Sequence, residues 1–108
     1  MWLFTKHGFY SIVRKSPSEY HVRARVKKDL QNLKDLLELT EPILESGSAD
    51  YRFRLVVGQK TYLTIMALVA RSVNYENFKN EVAMTEDQRQ KLKTYHEIWR
   101  RMAELQEE

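Results

Sequence analysis

Two segments of this chain alternate between polar and apolar side chains with a period of two, and that alternation limits the fold more than any other feature. In Tyr20-His21-Val22-Arg23-Ala24-Arg25-Val26, the residues Val22, Ala24 and Val26 fall on one side, and His21, Arg23 and Arg25 on the other. In Tyr51-Arg52-Phe53-Arg54-Leu55-Val56-Val57, the apolar side is Phe53, Leu55 and Val57. Such a period predicts strands with one face on a core and one toward solvent. Each segment runs into a helical pattern. Leu30, Leu33, Leu36 and Leu37 predict an amphipathic helix over 27–39, stopped before Pro42. From Gln59 to Val73 the apolar residues Tyr62, Leu63, Ile65, Met66, Leu68 and Val69 nearly encircle the axis, which predicts the central, most buried helix. The second strand and its helix follow the first pair after 31 residues, as a faint tandem repeat.

A strand over Phe9–Arg14 precedes the first unit, with a turn through Lys15-Ser16-Pro17-Ser18-Glu19. A short strand at Ile43–Ser46 and a turn at Gly47–Asp50 precede the second. Together these predict an α+β two-layer sandwich, a four-stranded antiparallel sheet from tandem strand–strand–helix units with two helices on one face, ferredoxin-like or related. The opening Trp2–Ser11 segment is expected as an edge strand or plug, with Gly8 as a kink or bulge. A connector over Asn74–Lys79 leads to a last helix starting near Thr85, whose hydroxyl is a candidate cap with Gln88 three residues on. Its stripe is Leu92, Tyr95, Trp99, Met102 and Leu105. The expected organisation is one domain over 1–108, a tandem core with connector over 1–84 and an added helix over 85–106.

Composition excludes several functions. The chain has no cysteine, so disulfides and thiolate metal sites are excluded. Its longest apolar run, Ile65–Ala70, is far shorter than the roughly 20 residues of a membrane helix. The opening residues lack the pattern of a signal peptide, and a cytoplasmic protein without a membrane partner is expected. Gly8, Gly47 and Gly58 stand alone, so there is no glycine-rich phosphate loop. His7, His21 and His96 are widely separated and show no metal-ligand spacing. Glu38, Glu41 and Glu45 read as solvation at a helix end and loop. No catalytic residue, metal or cofactor is assigned.

The chemistry therefore falls on the strand faces. Opposite the apolar side, the two alternating strands present His21, Arg23, Arg25, Arg52 and Arg54, and Arg14 is expected to join them from the strand before. Clustered guanidinium groups are donors for phosphate or carboxylate oxygens, and Tyr10, Tyr20 and Tyr51 near the strand ends are candidates to stack bases. This predicts a binding module for RNA or another polyanion. Two bland readings stand beside it: a solvated face whose arginines pair with nearby Glu and Asp, or a self-association surface. A structural homodimer through the sheet or the last helix is a further alternative, and a small enzyme using His7, Lys6 and Ser11 beside Trp2 is the least favoured.

The motifs Trp2-Leu3-Phe4-Thr5-x-x-Gly8-Phe9-Tyr10-Ser11, Val22-Arg23-Ala24-Arg25, Asp50-Tyr51-x-Phe53-Arg54 and Tyr75-x-Asn77-Phe78-Lys79 resemble a widespread family of short, uncharacterised bacterial proteins. The resemblance spans nearly the whole chain. It implies a bacterial, cytosolic setting and lends no catalytic residue.

Overall fold

The alternating segments form the middle of an antiparallel sheet in the computed structural model, which describes residues 1–106. The elements in order are β1 (Trp2–Thr5), β2 (Gly8–Ser16), β3 (Glu19–Ala24), α1 (Lys27–Leu37), β4 (Leu44–Glu45), β5 (Phe53–Val57), α2 (Gln59–Arg71), α3 (Phe78–Met84) and α4 (Leu92–Ala103). They divide into two compact units, one over Met1–Asn74 and one from Tyr75 onward. The division falls after Asn74, the first residue of the expected connector.

The first unit holds a five-stranded sheet in the order β1-β2-β3-β5-β4, each neighbouring pair antiparallel. Four strands were expected; the fifth is the opening segment, which takes the edge beside β2. β2-β3-α1 and β4-β5-α2 follow the same strand–strand–helix order. Three strands thus precede the first helix, which departs from the strand–helix–strand start of a ferredoxin-like fold.

One face of the sheet carries the core. Tyr10, Ile12, Val22, Ala24, Leu55 and Val57 pack with Leu30 and Leu33 of α1 and Ile65 of α2, all at or near complete burial. Leu30 and Leu33 show no exposure, and burying each contributes about 1.5–3 kcal/mol. The α1 pattern holds in part: Leu30 and Leu33 face the sheet and Leu37 is half-buried, but Leu36, expected in the same stripe, is 51% exposed. The helix ends at Glu38 in the left-handed region (φ 53), where the Leu39 N–H reaches the Lys34 carbonyl at 3.0 Å.

α2 is not the most buried helix. Only Ile65 is buried, Tyr62, Met66, Leu68 and Val69 are half-buried, and Leu63 is exposed. A helix laid on one sheet face can bury a single stripe, however apolar its other side.

The second unit corrects the expected connector. Residues Phe78–Met84 are helical because the Asn77 Oδ1 accepts the Asn80 N–H at 2.9 Å and caps them. Thr85 does not cap forward; its hydroxyl donates back to the Glu81 carbonyl at 2.8 Å and closes α3. A 3₁₀ turn over Arg89–Lys91 leads into α4. Phe78 stacks on Tyr95 at 5.6 Å beside the buried Val82 and Gln88. Farther along the α4 stripe Trp99, Met102 and Leu105 are exposed, with Lys79 over the Trp99 ring at 4.4 Å and His96 stacked on it. Among the described residues no helix is long and apolar enough to cross a membrane.

Candidate nucleic-acid interface

Residues directly opposite one another in paired strands share a face, so the register writes out the second face of the sheet row by row. Trp2 pairs with Ser11, Ser11 with Arg23, Arg23 with Arg54, and Arg54 with Leu44, which makes one row across all five strands. On one side of it lies the row Val13–His21–Val56. On the other side Phe4 pairs with Phe9, and Arg25 follows just past the end of β3. The face is therefore aromatic over β1 and β2 and basic over β3 and β5.

The aromatic half comes from the tight turn at Thr5–Gly8. The Thr5 hydroxyl donates to the Gly8 carbonyl at 2.9 Å and accepts the His7 and Gly8 N–H groups, both at 3.1 Å. Phe4 stacks on Phe9 with ring centres 4.6 Å apart, and Trp2 meets Phe9 edge-on at 6.2 Å. Trp2 remains 68% exposed. An indole so exposed at the end of a strand is open to a second aromatic ring.

The basic half separates into two kinds of arginine. Arg52 is bound to Glu45, its Nη2 at 3.0 Å and Nε at 3.2 Å from the same carboxylate oxygen. Arg25 donates to the Asp50 carbonyl at 2.9 Å and sits 3.6 Å from its carboxylate. These two are the solvated, paired arginines of the bland reading. Arg23 and Arg54 differ. Arg23 Nη2 donates to the Ser11 hydroxyl at 2.7 Å, and Arg54 Nη1 lies 2.9 Å from the His21 Nδ1. Both partners are uncharged groups when His21 is neutral, and among the described residues no carboxylate lies within 4.0 Å of either guanidinium. Like charges directly opposite in a sheet are destabilising. Among the described residues, the pair is thus a local concentration of positive charge with no carboxylate within 4.0 Å.

The remaining predicted residues do not join it. Arg14 pairs with Tyr20, so the register puts it on the same side of the sheet as Ile12 and Val22, away from Arg23. Tyr10 is wholly buried in the core, its hydroxyl donating to the Asp29 carbonyl at 2.7 Å. Tyr20 stacks flat on Tyr62 of α2, 4.1 Å between centres and 4° between planes. Tyr51 is 5% exposed and covered by the guanidinium groups of Arg23 and Arg25, 4.7 and 4.3 Å from its centre. Tyr10 and Tyr51 are thus buried, and Tyr20 has one face covered by Tyr62. Trp2, Phe4 and Phe9 are the aromatic side chains that the register places on the same face as Arg23 and Arg54.

Lys6 Nζ donates to the Asn74 Oδ1 at 2.9 Å, the His7 carbonyl accepts from Asn32, and the Ser11 hydroxyl is buried under Arg23. Among the described residues no three His, Asp or Glu side chains are grouped to hold a metal ion. The first unit carries 12 of the 18 basic and seven of the 15 acidic side chains, hence a net +5, although the whole chain is only +3. Set against known proteins, the chain matches no family model, no curated protein and no solved structure.

Proposed function

We propose that the first unit binds single-stranded nucleic acid on the open face of its sheet. Phosphates sit at Arg23 and Arg54, and unpaired bases stack on Trp2 and the Phe4–Phe9 pair. The observation that carries this reading is the Arg23–Arg54 pair, two adjacent guanidinium groups with no carboxylate partner among the described residues, in the same row as an exposed tryptophan. Guanidinium groups suit phosphate through their planar fork of donors. Aromatic stacking contributes about 1–3 kcal/mol per base and needs a base free of its partner strand, which favours single strands over duplexes. Trp2 lies two strand spacings from Arg23, about 10 Å, a span that one nucleotide's base and phosphate cover together.

The test is fluorescence anisotropy with labelled single-stranded RNA, single-stranded DNA and duplex RNA across a salt series. Two phosphate contacts predict a log–log salt slope of about −1.4, from roughly −0.7 per contact on a single strand. Arg23→Glu with Arg54→Glu should abolish binding, and Trp2→Ala should weaken it without changing the slope. A double variant that melts like the wild type and binds like it would sink the proposal.

A further inference from the structure

The bond between Arg54 and His21 holds a proton-dependent restraint on the same site. An arginine side chain has only donors, so where Arg54 Nη1 bonds the His21 Nδ1 at 2.9 Å, that nitrogen must carry a lone pair. The ring proton is then on Nε2, which donates to the Glu19 Oε2 at 3.2 Å. The two partners together select one neutral tautomer of His21.

We propose that protonation of His21 releases Arg54 and strengthens nucleic-acid binding at lower pH; the binding half of this rests on the nucleic-acid reading of the face, the release half does not. A proton taken from solvent onto Nδ1 turns the acceptor into a donor. Two N–H groups then oppose each other, and the always-charged guanidinium leaves the ring. The imidazolium stays beside Glu19 as an ion pair. The charged groups around His21 are Glu19 and Arg23 along its own strand and Arg54 on β5; on β2, Arg14 lies on the other side of the sheet and Lys15 falls in the irregularity before Ser16. Val13 and Val56 flank it directly, and its side chain is only 14% exposed, so the ring has little room to turn and make a different bond. Imidazole is the one side chain that ordinarily changes charge between about pH 5 and 8. Below that change, phosphate no longer has to displace the His21–Arg54 bond, and one more positive charge faces it.

Two measurements test this. In the free protein, imidazole nitrogen shifts should report the Nε2–H tautomer of His21, and the Arg54 guanidinium signal should move along the His21 titration. A His21 found with its proton on Nδ1, or an Arg54 signal indifferent to the titration, overturns the release without any ligand present. With labelled single-stranded RNA as the probe, affinity should rise roughly tenfold from pH 8 to about pH 5.5, the worth of one charge-assisted hydrogen bond. The salt slope should steepen by about 0.7 as a contact is gained. His21→Asn and His21→Gln should bind with no such pH dependence. Full pH dependence in both variants overturns the assignment to His21, and wild-type binding that is flat with pH overturns the strengthening. Absence of binding at every pH overturns the nucleic-acid reading and with it the strengthening, while the tautomer and Arg54 signals decide the release.

Discussion

Gly8→Ala should destabilise the first unit more than its modest chemistry suggests. Gly8 opens β2 at φ 157, and a methyl group placed there would lie 2.5 Å from both Cβ and Cγ of Asp29 and 2.8 Å from its Oδ1. Real Cβ atoms do not come so close, so something must shift, and Asp29 has nowhere cheap to go. It is 1% exposed in the first turn of α1, and its Oδ2 accepts the Phe9 N–H at 3.2 Å. Forcing a methyl group into such a site costs about 1–3 kcal/mol. Losing the acceptor of a partly buried N–H adds about 1 kcal/mol. The sum, ~2–4 kcal/mol, corresponds to a melting-point fall on the order of 10–20 °C for a domain of this size. Gly47→Ala is the control, since nothing lies within 4 Å of a methyl group there, and its effect should stay within about 0.5 kcal/mol. Circular dichroism melts and urea titrations of both variants measure the difference. The same change should weaken single-stranded RNA binding, because the turn it disrupts positions Trp2, Phe4 and Phe9. A Gly8→Ala protein melting within about 2 °C of the Gly47→Ala control would refute the packing of Gly8 on Asp29.

Arg25→Ala and Arg52→Ala should each change stability by no more than about 1 kcal/mol, because exposed ion pairs contribute little, and urea titration measures it. Both should also leave RNA affinity within about threefold of wild type, since the phosphate contacts are assigned to Arg23 and Arg54. A loss as large as that of Arg23→Glu would move the site toward the paired arginines. In the second unit, burial and then the nearby Glu81 carboxylate raise the Tyr75 phenol above its ordinary pKa of 10.0. The folded state therefore favours the neutral phenol. The contribution is fully present below about pH 10 and is lost as pH rises through the folded value. Denaturant titrations from pH 9 upward should show Tyr75→Phe losing less stability with pH than wild type, and identical slopes would contradict the burial of that hydroxyl.

How far the site was legible follows from the range of each signal. Arg23, Arg54 and His21 were readable on one face because a period of two needs nothing beyond the strand itself. Arg14 was misplaced because its side depends on cross-strand register: the pairing with Tyr20 and the irregularity between Arg14 and Ser16 are properties of two strands. The tyrosines failed for a related reason. Tyr20 shares the side of Val22 and Ala24, and Tyr10 that of Ile12, so both rings face the helices and find partners in α2 and α1.

The sequence by itself determined the strands of the two repeats, the inward set Val22, Ala24, Leu55 and Val57, and the placing of Leu30 and Leu33 of α1 on the core. These follow from periodicity and from turn residues, which act over a few positions and survive without any partner. The tertiary structure alone decided which arginines meet a carboxylate. Arg25 and Arg52 are paired with Asp50 and Glu45, brought to them from 25 and seven residues away, whereas Arg23 and Arg54 meet a serine and a histidine. It also decided that β1 adds Trp2 to the row of those two arginines. Charge compensation and co-location are relations between segments distant along the chain, and only folding brings those segments within the few ångströms over which they act.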